Sequence, residues 1–303
     1  MSSGAFLGTS EFAATVLELL AGSGQRPSLA VTLPDRRRGR GRRERPSPVA
    51  VKAEELGIEL LKSGDVNGEE DRARIAAASA ETGWASICAF GQLIKEPLLG
   101  DVPMLNVHPS LLPRWRGAAP VERAIMAGDA ETGVCVMRLV AGLDSGPVAA
   151  VERTPIGPEE DYGSLAPRLA EIGGRLLAGT LAAAAAGAVE WVEQDDDAAT
   201  YAEKIESAER RLDPARPARE LHDRVRALNP HIGAWLDLGG DRRLGVKRVA
   251  PIEADGIDPG ALAERDGMPV LGCADGALRL ERVQPPGGKP MGGADWLRGH
   301  GLP

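Results

Sequence analysis

Two side chains suited to moving a proton and donating a hydrogen bond stand two residues apart at the end of an apolar run: Asn106 and His108, after Met104-Leu105. If that run is a strand, its two-residue period puts both side chains on the same side. In an open parallel sheet, ligands bind in the crevice beyond the carboxyl ends of the strands. There a neutral histidine can act as a base or proton shuttle, and an asparagine amide can donate to a developing oxyanion. Pro109 and Pro113 stiffen the loop that follows and remove two backbone donors. With Ser110, Leu111 and Leu112 between them, the loop offers main-chain polar groups and apolar surface to a flat ligand. Further on, Gly142-Leu143-Asp144-Ser145-Gly146 is a tight loop with one carboxylate at its apex. Each feature also has a plain structural reading: a histidine satisfied by backbone, prolines turning the chain, an aspartate bonding its own turn. Taken singly, those readings lead.

A different chemistry is written in Arg36, Arg37, Arg38, Arg40, Arg42, Arg43 and Arg45. Gly39, Gly41 and Pro46 make this stretch a flexible loop after a strand, not a helix. The chain carries a net charge of −8, yet phosphate attraction depends on local potential, so an acidic body with one basic prong can bind RNA. The planar fork of arginine pairs with phosphate and stacks on an unpaired base. A solvated charge run, or a site for a phosphorylated small molecule, explains the stretch equally well.

These groups need a scaffold. Short apolar runs (Ala5–Leu7, Leu29–Leu33, Glu59–Leu61, Trp84–Phe90, Met104–Val107, Gly133–Leu139, Pro147–Val151) alternate with helical patterns at Ser10–Ala21, Pro48–Leu56, Glu69–Glu81 and Ala118–Ala127. Ser10 is placed to cap the first helix, with Glu11 in its first turn. This alternation predicts an α/β domain with a mostly parallel sheet covered on both faces. A long helix, Ser164–Ala186, closes that part. The expected boundaries are a catalytic domain at 1–187, a linker at 188–206 around Asp195-Asp196-Asp197, and a second domain at 207–303. The second domain shows one helix, Pro217–Ala227, then short alternating runs split by Gly239-Gly240-Asp241 and Ala274-Asp275-Gly276, which predict a small antiparallel barrel.

Composition sets the outer limits. A chain of 303 residues, 43% hydrophobic and 26% charged, has the make-up of a globular protein of two domains. No run approaches the length that spans a bilayer, and Glu11 and Glu18 argue against a transit peptide, so a cytoplasmic address is expected. Cys88, Cys135 and Cys273 are far apart and form no C-x-x-C pair, and the four histidines form no H-E-x-x-H pattern. No metal site is expected.

Together, Asn106-x-His108-Pro109-Ser110-Leu111-Leu112-Pro113 and Gly142-x-Asp144-x-Gly146 resemble the signature of the 10-formyltetrahydrofolate-dependent formyltransferases. The longer string Ser110 to Pro120, S-L-L-P-R-W-R-G-A-A-P, is similar to the branch acting on methionyl-tRNA. Gly8-Thr9-Ser10-Glu11-Phe12, Gly128-Asp129-Ala130-Glu131-Thr132-Gly133, Arg226-Ala227-Leu228-Asn229-Pro230 and Val283-Gln284-Pro285 fit as well, in order along nearly the whole chain. The resemblance implies a Rossmann-like catalytic domain followed by a barrel resembling an OB-fold. It implies Asn106, His108 and Asp144 as the catalytic set and Ser110, Leu111, Leu112 and Pro113 as lining a folate site. It further implies 10-formyltetrahydrofolate as co-substrate and the acceptor arm of initiator methionyl-tRNA as partner, met by Arg36, Arg38, Arg40, Arg42 and Arg43. The expected molecule is a monomer that uses no metal and binds no membrane. Two positions depart from the family pattern: Phe90 stands where tyrosine is common, and Asn229–Trp235 lacks the tryptophan that usually follows the proline.

Four other readings compete. A formyltransferase acting on a sugar nucleotide or on glycinamide ribonucleotide would share the Asn-x-His and the aspartate, but the arginine stretch and second domain favour tRNA. A hydrolase of formyl-folate would need only water in place of the amine. A non-catalytic RNA-binding protein is disfavoured because Asn106, His108 and Asp144 are all present. A dinucleotide oxidoreductase would need G-x-G-x-x-G, where Gly8 stands alone.

Overall fold

The computed structural model describes residues 4–38, 43–240, 242–253 and 256–302. The chain divides into two compact units. The first comprises Met1–Gly117, Glu131–Pro155 and Ala166–Tyr201, and the second comprises Ala118–Ala130, Ile156–Leu165 and Ala202–Pro303. These limits fall at different places from 187 and 206, because residues 188–201 group with the first unit and two short segments group with the second.

The first unit runs β1 (Ala5–Gly8), α1 (Glu11–Gly22), β2 (Leu29–Thr32), β3 (Arg36–Arg38), β4 (Arg43–Arg45), α2 (Pro48–Leu56), β5 (Glu59–Lys62), α3 (Glu69–Ser79), β6 (Ala85–Cys88), α4 (Leu98–Asp101), β7 (Met104–His108) and β8 (Arg116–Gly117). It resumes with β9 (Glu131–Arg138), β10 (Val148–Pro155) and most of α6 (Tyr162–Ala185). Seven strands form one sheet in the order β10-β9-β7-β6-β1-β2-β5. The five from β7 to β5 are parallel, and β9 and β10 add an antiparallel margin. β1, β2, β6 and β7 are buried along their whole length, as strands covered on both faces must be, and so they read as mostly apolar runs in which the few polar residues, Thr32, Ser86, Asn106 and His108, are buried too.

The helix ends follow from their residues. Ser10 accepts from the Ala13 N–H at the head of α1, and Ser47 accepts from the Ala50 N–H ahead of Pro48 in α2. α2 stops at Gly57, which takes the left-handed conformation (φ 62°) that a side chain would oppose. The arginine stretch is not a plain loop. Its flanks pair as an antiparallel ribbon, Arg36 opposite Arg45 and Arg38 opposite Arg43.

In the second unit, α5 (Pro120–Met126) packs on α7 (Ala218–Leu228). A short strand, β11 (Tyr201–Ala202), leads into this part of the chain. An antiparallel sheet of six strands follows: β12 (Ala234–Asp237), β13 (Arg243–Ile252), β14 (Leu262–Arg265), β15 (Met268–Gly272), β16 (Ala277–Gln284) and β17 (Met291–Gly292). A further helix, α8 (Gly293–His300), was not foreseen; it is only eight residues long, and its buried face is just Gly293, Trp296 and Leu297. Leu221, Val225 and Leu228 of α7 and Trp296 of α8 share one core with Leu244, Val246 and Leu280 of the sheet.

Among the described residues, no helix is long and apolar enough to cross a membrane.

Candidate active site

β7 lies between β6 and β9 in the sheet, with Asn106 opposite Ile87 and Met137, and His108 opposite Cys135. Alternation places both polar side chains on one face. Asn106 is 9% exposed and His108 is 4% exposed, so each must find a polar partner inside the protein. His108 Nε2 stands 2.9 Å from the Trp115 carbonyl oxygen. A carbonyl can only accept, so Nε2 carries the proton and Nδ1 is the nitrogen left to gain one.

Nδ1 faces Asp144 Oδ2 at 3.6 Å. Asn106 Nδ2 donates to Asp144 Oδ1 at 3.4 Å, and the Gly117 N–H donates to Oδ2 at 2.8 Å. One carboxylate thus gathers an amide, an imidazole and a backbone donor. The residues that were 38 apart in sequence meet within hydrogen-bonding range or just beyond it.

The position of Asp144 is itself supported. Its φ of 46° lies in the left-handed region, which aspartate tolerates better than most residues but which still needs a scaffold. Gln194 Nε2 donates to the carbonyls of Asp144 (2.9 Å) and Gly146 (2.7 Å). Gln194 Oε1 accepts from Arg116 Nε (3.0 Å) and Nη2 (2.9 Å), and Nη2 also donates to Asp196 Oδ1 at 2.7 Å. Arg116 is buried, with 3% exposure. Gly146 is held against β9 so closely that a Cβ there would lie 1.9 Å from the Arg138 carbonyl oxygen.

The loop after His108 looks inward more than the sequence suggests. Ser110 is fully buried, and its hydroxyl donates to the Arg114 carbonyl at 2.7 Å. Leu112 packs against Cys135, Met137 and Val148. Leu111 lies over Gly133, where an added Cβ would meet it at 2.4 Å. The Pro113 carbonyl accepts from the Thr200 N–H at 3.2 Å. Phe90, 3% exposed, joins Ile87, Ile94 and Met104 in an apolar cluster, and its carbonyl accepts from the Thr9 hydroxyl at 2.7 Å. Of the arginines, Arg36 is exposed, the backbones of Arg38 and Arg43 lie in the ribbon, and Arg40 and Arg42 fall outside the described residues.

Arg116, Gln194 and Asp196 are the site residues that sequence reasoning passed over. Arg116 stood in a string read for its resemblance, and Gln194 sits beside three aspartates that read as a solvated connector. All three cysteines are buried. Burial drives the Cys88 thiol well above its usual range and pushes Cys135 and Cys273 up to about 11. None is a nucleophile near neutral pH. Among the described residues, no three histidines, cysteines or acids are grouped to hold a metal.

Comparison with known proteins adds to this picture. Residues 4–181 match the family described as formyl transferase, and residues 204–301 match its C-terminal domain. A methionyl-tRNA formyltransferase of Methylobacterium sp. (strain 4-46) is 43% identical over 302 residues, covering 98% of this chain and 96% of the relative. The protein of the same description from Parvibaculum lavamentivorans is 41% identical, over 98% of this chain and 97% of its own. Among solved structures, HypX from Aquifex aeolicus in complex with tetrahydrofolic acid superimposes with a TM-score of 0.62 at 18% identity. That match covers 97% of this chain but 46% of HypX, so the chain spans about half of that protein. An N-formyltransferase from Helicobacter canadensis, in complex with folinic acid and dTDP-3-aminofucose, gives a TM-score of 0.65 at 15% identity, covering 92% of this chain and 99% of that one. At these identities the two structures speak for the fold.

Proposed function

The chain belongs to the formyl transferase family, and from that premise we infer that it formylates the amino group of methionine carried on initiator tRNA. The relatives that match over almost the whole chain carry this activity in their names, and both family models are met in order. We take the formyl donor to be 10-formyltetrahydrofolate. The observation that carries the assignment of residues is the meeting of Asn106 and His108 on the Asp144 carboxylate.

In this reading, the unprotonated amine attacks the formyl carbon and forms the new C–N bond, while the carbonyl electrons move onto oxygen. Asn106 gives one N–H to Asp144 and turns the other toward that oxyanion. His108, protonated on Nδ1 against Asp144, places a positive charge beside it. Collapse breaks the bond between the formyl carbon and the folate nitrogen. The amine loses one proton and the folate nitrogen gains one, and the His108–Asp144 pair is a place on this chain able to hold a proton between the two events.

The folate ring is assigned to the Ser110–Pro113 loop, through its backbone and the partly exposed Leu111, Leu112 and Pro113, since the Ser110 hydroxyl is already used within that loop. The acceptor arm is assigned to the ribbon bearing Arg36, Arg38 and Arg43, and to Arg40 and Arg42, which fall between Arg38 and Arg43 in sequence. The catalytic domain is read as 1–187 and the tRNA-binding domain as 207–303.

Incubation with 10-formyltetrahydrofolate and charged initiator tRNA tests this directly. The expected product is formyl-methionyl-tRNA, with a lower rate when the first acceptor base pair is made a matched pair. No formyl-methionine on either tRNA would refute the activity, and equal rates would refute the discrimination. His108→Ala should abolish turnover and leave tRNA binding intact.

A further inference from the structure

We propose that Gln194 is a positioning residue for formyl transfer: it holds the Asp144 loop in its left-handed conformation, and buried Arg116 holds Gln194. The proposal rests on the assignment of Asp144 to the reacting site.

Three observations meet here. Asp144 has φ 46°, a conformation that costs energy and persists only where neighbours impose it. Its carbonyl and that of Gly146 both accept from the single Gln194 Nε2, at 2.9 and 2.7 Å, and no other side chain bridges these two carbonyls among the described residues. The amide cannot rotate to release them, because Oε1 is gripped by two nitrogens of Arg116 at 3.0 and 2.9 Å. Arg116 precedes Gly117, whose N–H binds Asp144 Oδ2 at 2.8 Å. The same short stretch therefore fixes the carboxylate directly through Gly117 and its backbone through Arg116 and Gln194. A carboxylate that must stand 3.4 to 3.6 Å from two partners tolerates little drift, and a misplacement of about 1 Å can cost on the order of 100-fold in rate.

Gln194→Glu separates this role from mere stabilisation. Its carboxylate keeps the Arg116 pairing and strengthens it with charge, so the fold is retained. It loses the donor, however, and sets an oxygen against two carbonyls. The expected result is a kcat reduced by about 10- to 100-fold with KM for both substrates nearly unchanged, in a variant that still melts cooperatively. Gln194→Ala should lower kcat in the wild-type background and have little further effect in an Asp144→Asn background, because both changes act through one group.

A second readout needs no activity. The Gly117 amide proton, followed by hydrogen exchange, should lose about tenfold of its protection in Gln194→Glu, while the Ile87 amide in the sheet keeps its own. Full kcat in Gln194→Glu, an equal loss from Gln194→Ala in both backgrounds, or unchanged Gly117 exchange would each overturn the proposal. If Asp144→Asn alone left turnover intact while Gly117 exchange still rose, the assignment of Asp144 would fail and the positioning contact would stand.

Discussion

Asp144→Asn is the most informative single change, because the structure lets its cost be worked out. Asparagine has nearly the same shape, and it tolerates the left-handed backbone at φ 46° as well as aspartate does. Its side-chain carbonyl can still accept the Gly117 N–H, so the loop keeps its anchor. What disappears is one negative charge 3.6 Å from His108 Nδ1, together with the acceptor for Asn106 Nδ2; the charge is the larger loss. With an effective dielectric of 20, that charge stabilises an imidazolium by about 4.6 kcal/mol, and a value near 40 gives about 2.3 kcal/mol. The Asp144 side chain is 13% exposed, which argues for a result between these limits. The variant should therefore lose about 50- to 2,000-fold in kcat. The assay is single-turnover formylation of charged initiator tRNA at saturating folate, with melting temperature as a control for the fold. A kcat within threefold of wild type would refute the electrostatic reasoning. So would a loss carried wholly by KM, since that would assign Asp144 to substrate binding rather than to the charged state of His108.

Three further outcomes follow from contacts already described. Gly146→Ala forces a Cβ to within 1.9 Å of the Arg138 carbonyl oxygen, so the Asp144 loop must shift; kcat should fall at least about tenfold, and a variant of normal activity would show the loop to be more pliant than drawn. In the second unit, burial alone would raise the Asp223 carboxyl, but hydrogen bonds from His222 and Arg226 outweigh it and hold it below its usual value. A depressed carboxyl contributes stability above the ordinary range near 4 and loses it as pH falls through the folded value. Melts from pH 6 to 2.5 should show that decline, and Asp223→Asn should cost about 3–5 kcal/mol at neutral pH by leaving Arg226 buried without its carboxylate; a flat profile would count against the pairing. Cys135 and Cys273, pushed up to about 11, expose about one thiolate in a thousand at pH 8, so native protein should resist iodoacetamide and the unfolded chain should take up three equivalents.

Much of the first unit is legible in the sequence for a physical reason. A parallel sheet buried on both faces needs largely apolar runs, and Ala5-Phe6-Leu7 and Leu29-Ala30-Val31 announce themselves as such. The N-caps Ser10 and Ser47 are legible because capping is local chemistry. Long-range contacts are not. Nothing local tells that Gln194 returns to the Asp144 loop 50 residues earlier in sequence, because a glutamine beside three aspartates has the composition of a solvated connector. The Ser110 hydroxyl reads as a ligand group until its acceptor, the Arg114 carbonyl, is seen. The arginine flanks read as a loop because a two-stranded ribbon leaves no apolar alternation.

The order in which the two units take up the chain bears on how it is made. α5 belongs to the second unit but is encoded well before α7, on which it packs, with roughly 90 residues between them. On a ribosome adding about 5–20 residues per second, α5 waits some 5 to 20 seconds for its partner. Over that interval Met126, which in the finished protein packs against the core that α7 helps to form, lacks that cover on the nascent chain. The first unit waits as well, since its last segment runs to Tyr201 and includes Gln194. Neither unit is finished by synthesis of a single continuous stretch, so the growing polypeptide depends on keeping these segments soluble until their distant partners emerge.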